Sequence, residues 1–164
     1  MNIYLPDNDV DPCAQYDWYQ HVGKVMLESV RLRCSASKEK SFTTPYRPIH
    51  GRHPWALRVG KSDDGFRWFV TLSRALNKEY RRRFEKIKDH SSVGIIRQAE
   101  EGHVPALGLT SFVQAMPDQY QETNDPVAAY RRFYGVEKSA FATWTKREAA
   151  DRFVPESSSK VLVL

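Results

Sequence analysis

Residues 19–34, YQHVGKVMLESVRLRC, constrain the fold more than any other stretch of this chain. Trp18, Val22, Val25, Met26 and Val30 fall on one broad arc of a helical wheel. That spacing belongs to an amphipathic α-helix and not to the alternation of a strand. An apolar arc of this kind must be buried against other helices, and the rest of the chain supplies them. Asp11-Pro12 predicts an N-cap followed by proline at the first helical position, opening a helix that runs to about Ser35. Residues 37–52 read as a polar loop. His53-Pro54 opens a short helix ending near Gly60. Ser62-Asp63-Asp64 opens a longer one, with acids in its first turn where the helix dipole favours them. Phe66, Phe69, Val70, Leu76, Phe84 and Ile87 give that helix a core side reaching to about Lys88. A serine at 91 or 92 caps a further helix ending at Gly102, residues 103–124 read as irregular, and Asn124-Asp125-Pro126 opens a last helix through about Trp144. The one strand candidate, Ile3-Tyr4-Leu5, reads equally as an extended arm. The expected architecture is mainly α: a compact single-domain helical bundle over residues 1–154, with a short extended N-terminal arm and a tail at 155–164.

The 164 residues suffice for a core without metal or disulfide staples. No run of about 18 apolar residues exists to span a membrane, and no basic-then-apolar leader opens the chain. Two cysteines, Cys13 and Cys34, form no CxxC or Cys/His cluster. The expectations are therefore a cytoplasmic protein, no metal, no cofactor, no membrane and a monomer. Charge is the informative quantity. Lysine and arginine exceed the acids by five, and they cluster at Arg81-Arg82-Arg83, Arg131-Arg132 and Lys146-Arg147. Aromatics lie among them, at Tyr80, Phe84, Tyr130, Phe133, Tyr134 and Trp144. Basic residues interleaved with aromatics suit a phosphate backbone with stacked or flipped bases, so DNA is the expected partner; the plainer alternative is a solvated basic surface.

Three constellations could carry chemistry. On the first long helix, His21, Lys24, Glu28 and Arg31 form a second stripe at the margin of the apolar arc. His21 and Glu28 lie about 20° apart around the axis, at the boundary between core and surface, with Lys24 and Arg31 further out. A carboxylate placed there is tuned by burial against neighbouring cations. The alternative is a simple i, i+4 pair between Lys24 and Glu28. The second constellation is SFVQAMPDQY, residues 111–120: Gln114 can read a base edge, Tyr120 can stack, and Asp118 can act as acid, base or charge stabiliser. Its alternative is a Pro-Asp turn bonded to its own backbone. In the third, His53 either binds substrate or caps its helix, and Trp55 either walls a pocket or fills the core. Motifs for nucleotide-triphosphate or dinucleotide binding, zinc deaminases and the serine-hydrolase elbow are lacking.

Four features together resemble the small all-α DNA glycosylases of the pyrimidine-dimer glycosylase (endonuclease V) type. They are the MNIYL arm, a first helix carrying His21 and then Glu28, the His53-Pro54 pair, and a long helix with Glu79 to Arg83 near its end. The AMPDQY and DPVAAYRRFY stretches resemble a broader set of uncharacterised phage-type proteins. The glycosylase resemblance implies an essential acidic residue on the first helix, by position Glu28, and attack on the sugar by an N-terminal amine. Asn2 is large enough to retain Met1, so the expectation is base excision without the lyase step.

The sequence-based reading is thus a DNA N-glycosylase that excises a modified or damaged base, preferentially a pyrimidine, to leave an abasic site, with a role in phage–host conflict. A carboxylate under the sugar would stabilise the developing positive charge. Glu28 or Asp118 takes that role, with His21 and Lys24 serving the leaving base or a phosphate. Trp55, His53, Gln114 and Tyr120 line the substrate pocket. Arg31, Arg81, Arg82, Arg83, Arg131, Arg132 and Lys138 hold DNA. The alternatives are a non-catalytic DNA-binding protein and a base-modifying transferase on a similar scaffold.

Overall fold

A computed structural model describes residues 3–36, 46, 52–61, 63–100 and 112–137. Among these there are six α-helices, one 3-10 turn and no strand. They are α1 (Val10–Tyr16), α2 (Tyr19–Ala36), α3 (Pro54–Lys61), α4 (Asp63–Arg83), α5 (Ser92–Glu100) and α6 (Pro126–Glu137), with the 3-10 turn at Asp118–Tyr120 between α5 and α6. The mainly helical bundle expected from the apolar spacing is what the chain forms. The expected end points at Gly102 and Trp144, and the tail, lie outside the described residues.

The expected first helix is two helices. α1 begins after Asp9, whose carbonyl accepts the Cys13 amide at 3.1 Å. Pro12 therefore sits inside the first turn, where its missing N–H costs no intrahelical bond. The helix stops at Asp17, which turns to an extended conformation with φ −62° and ψ 140°. That break aims the Asp17 carboxylate at Tyr134 and its carbonyl at Arg83. α2 then restarts with the Trp18 carbonyl accepting from His21 and Val22. Every residue of the predicted arc, Trp18, Val22, Val25, Met26 and Val30, is buried.

α4 is the central element. Its 21 residues span about 30 Å, and it packs against α1, α2, α3 and α5. Phe66, Phe69, Val70, Leu72 and Leu76 form its inner face. It ends at Arg83, five residues short of the expected Lys88, and Ile87 lies in solvent. α6 starts as its sequence predicts, with the Asp125 carboxylate capping the Ala128 amide at 2.9 Å. The N-terminal arm at residues 3–9 lies in no helix or strand and is buried at Ile3 and Leu5. It is tied to α6 by Arg131, which donates to the Pro6 carbonyl at 2.7 Å and the Asp7 carboxylate at 3.1 Å.

Candidate nucleic-acid interface

The outer face of α4 follows from its inner one. With the apolar residues turned to the core, Arg67, Thr71, Arg74, Lys78, Arg81 and Arg82 are exposed. Arg74, Lys78 and Arg82 recur every four residues and so rise along one side of the helix in steps of about 6 Å. With Asn77, Arg81 and Lys86 they line an open cleft of about 400 Å³. Asp89 meets Arg81 at 3.6 Å and Arg97 at 3.2 Å, so one carboxylate faces two guanidiniums and the surface keeps its positive sign. Asn77 holds this edge in place, donating to Asp89 at 2.9 Å and accepting the His90 amide at 3.0 Å. Burial lowers the His90 pKa, which favours the neutral ring that accepts the Ser92 amide at the start of α5. Aromatic rings gather at the C-terminal end of α4: Tyr80 contacts both Phe84 and His90, and Phe84 contacts Tyr19, all of them half-buried.

The third member of the arginine run belongs elsewhere. Arg83, expected on the phosphate surface, is 1 % exposed. At i+4 from Glu79 it falls on the inner face of α4, where it donates to the Glu79 carboxylate at 3.0 Å and to the carbonyls of Gln15 and Asp17. A buried guanidinium requires such partners, and here they clamp the α1–α2 break to α4. Arg131 is likewise committed to the arm. Arg132 is exposed, donates to Glu122 at 3.1 Å and to the Gln119 carbonyl at 2.8 Å, and lies over the Tyr120 ring. Lys138 lies outside the described residues.

The stripe on α2 is divided by its neighbours. Lys24 is exposed. The Glu28 carboxylate, 13 % exposed, pairs with Arg31 at 3.4 Å across one turn. The Lys24–Glu28 pair of the alternative reading is replaced by this i, i+3 contact. His21 turns away into an aromatic cluster, stacked between Tyr4 and Trp18 with its Nδ1 3.0 Å from the Tyr134 hydroxyl. That hydroxyl donates to Asp17 at 2.7 Å, so with Asp17 ionised His21 is the donor to Tyr134. Burial pushes the Asp17 carboxyl up to about 7, against the opposing pull of the Tyr134 hydroxyl and the Arg83 charge. Burial also drives the Tyr134 pKa well above its ordinary value.

The remaining candidates are held by structure. Trp55 is fully buried, stacks on Trp68 and donates to the Tyr130 hydroxyl at 3.1 Å, so it fills the core and walls no open pocket. His53 accepts the Trp55 amide at 3.3 Å, the capping alternative. Gln114 closes two hydrogen bonds with the backbone of Glu122, which occupies both ends of the amide that was to read a base. Asp118 is exposed in the 3-10 turn, and its carboxylate accepts from the Gln121 side-chain amide at 3.0 Å, where the Pro-Asp turn alternative expects a bond from the backbone. Tyr120 is buried and bonds Glu137 on α6, so its ring is not free to stack on a base. Cys13 and Cys34 are buried, and burial pushes the Cys13 thiol up to about 12, which removes it as a nucleophile.

Sequence reading overlooked Asp17, because the wheel runs smoothly through it. The available signal was an aspartate in a helix interior, a residue that competes with its own backbone and favours helix ends. Among the described residues no three His, Cys, Asp or Glu side chains group as metal ligands, and no helix is long and apolar enough to cross a membrane. Compared with known proteins, the chain matches no family model, no curated protein and no solved structure.

Proposed function

We propose that the protein binds DNA, with the outer face of α4 as its phosphate-contacting surface. The observation that carries this reading is the row of exposed cations Arg74, Lys78, Arg81, Arg82 and Lys86 around one open cleft. Arg74 to Arg82 covers about 12 Å, along which one strand of a duplex carries three to four phosphates. Arginine and lysine there neutralise phosphate charge and release condensed counterions, the main source of sequence-independent affinity. The triple substitution Arg74→Ala, Lys78→Ala, Arg82→Ala removes exposed side chains only. It should leave the fold intact and weaken duplex binding at least about tenfold at low salt, measured by fluorescence anisotropy. Unchanged affinity in the folded triple variant would reject this surface.

A second reading, excision of a modified base, is favoured by Glu28. Its carboxylate is largely withdrawn from water with the Arg31 guanidinium beside it, and it sits on the helix where the glycosylase resemblance expects an essential acid. Such a group can stabilise a developing sugar cation. The test is treatment of modified duplexes with protein and then hot alkali, which breaks strands at abasic sites. Glu28→Gln keeps shape and helix propensity and should abolish the breaks. Breaks undiminished in the folded Gln variant would remove Glu28 from the chemistry.

A further inference from the structure

We infer that Ile87 is an apolar wedge, which the turn after α4 drives between stacked bases of a duplex lying on the α4 cations. The inference rests on the DNA-binding reading above and adds to it what the protein does to the helix it holds. Ile87 is 90 % exposed. Single exposed apolar residues are ordinary on protein surfaces, and three features set this one apart.

The first is how the turn is built. The Phe84 amide bonds the Tyr80 carbonyl and the Lys86 amide reaches back five residues to the Arg81 carbonyl, both at 3.0 Å. The Lys86 bond, reaching back from six to one, marks a Schellman ending, which places one residue in the left-handed region. That residue is normally glycine, but here it is Glu85, at φ 51°. The strained conformation is kept by its surroundings. Arg81 also donates from Nε to the Lys86 carbonyl at 3.4 Å. At the far end the turn is anchored by Asn77, which bonds Asp89 and the His90 amide. Ile87 is thus projected from a short segment fixed on both sides.

The second feature is its flanks. Lys86 and Lys88 are both exposed, and Lys86 also lines the cationic cleft. An apolar tip between two cations matches a duplex, with bases inside and a phosphate strand on either side. The third is the chain just before it. Phe84, at the start of the same turn, and Tyr80 one helical turn earlier are half-buried and in contact with each other, and supply aromatic rings to a base that has lost its stacking partner. Inserted aliphatic side chains with flanking cations are a general means of unstacking and kinking duplexes. Two acids of this turn are exposed, Glu85 two residues before the tip and Asp89 two after it, and Asp89 is paired with Arg81 and Arg97.

The test uses duplexes carrying one 2-aminopurine at successive positions, saturated with the full chain at low salt, with binding followed separately by anisotropy. Unstacking should raise the fluorescence several-fold at one or two positions. Ile87→Ser should abolish the rise while lowering affinity by less than about tenfold, and Ile87→Leu should retain it. Neither change should alter thermal stability, because the side chain is in solvent. Binding with no rise at any position overturns the wedge and leaves the DNA-binding reading standing. So does a rise undiminished in Ile87→Ser. Failure to bind any duplex overturns both.

Discussion

Asp17→Asn tests the buried cluster that joins the α1–α2 break to α6. The wild-type carboxyl is buried, accepts one hydroxyl from Tyr134 and holds its proton up to about 7. In the unfolded chain it releases that proton near 3.8. Between these values the folded state binds more protons than the unfolded one, so raising the pH lowers stability. At pH 5 the folded carboxyl is almost wholly protonated, while the unfolded one is mostly ionised; at pH 8 both are ionised. The linkage between those limits amounts to about 3 kcal/mol. Asparagine keeps the carbonyl oxygen that receives the Tyr134 hydroxyl and does not titrate. His90 acts in the opposite sense: its lowered pKa contributes stability that is complete above its ordinary value of 6.5 and is lost on acidification. It is common to both proteins and cancels in the difference. Urea denaturation of wild type and Asp17→Asn from pH 5 to pH 8 should therefore give a wild-type-minus-variant stability that falls by about 3 kcal/mol across the range. A difference that is flat, or that rises with pH, would refute the buried, proton-retaining Asp17.

Two further substitutions test how the fold is fastened. Tyr130→Phe removes a hydroxyl that accepts from Trp55 Nε1 and the Ala115 amide and donates to the Val113 carbonyl; with these buried groups orphaned, the loss by urea denaturation should be about 2–4 kcal/mol. A loss below about 1 kcal/mol would show that this hydroxyl does not dock the 112–116 segment. Glu85→Gly relieves the left-handed strain at the end of α4 and should stabilise by about 1 kcal/mol, whereas destabilisation would mean that the turn is not left-handed in solution.

Much of the framework was legible because helix periodicity is a local property. The arc from Trp18 to Val30, the Asp125 cap and the His53 cap all depend on residues within a turn of one another, and the structure realises each of them. What could not be read depends on contacts remote in sequence. The break at Asp17 is made by Tyr134 and Arg83, 117 and 66 residues away. The run Arg81-Arg82-Arg83 looks uniform, yet 100° per residue turns the third guanidinium inward onto Glu79 while its neighbours face water. Gln114 and Tyr120 looked like loop residues awaiting a base, and their partners on Glu122 and Glu137 are invisible until the segment is folded against α6. The period continues past Arg83 and so predicts Ile87 as core; the Schellman ending interrupts it and leaves the side chain in solvent.

The salt dependence of duplex binding tests the proposed DNA-binding surface most directly. Affinity for a short duplex, measured by anisotropy over a series of monovalent salt concentrations, should fall linearly on logarithmic axes. Five exposed cations, Arg74, Lys78, Arg81, Arg82 and Lys86, correspond to a slope between about −3 and −5. The Arg74→Ala, Lys78→Ala, Arg82→Ala variant should show a slope shallower by about 2–3. An affinity indifferent to salt, or a slope that the triple variant leaves unchanged, would contradict a DNA interface on the outer face of α4.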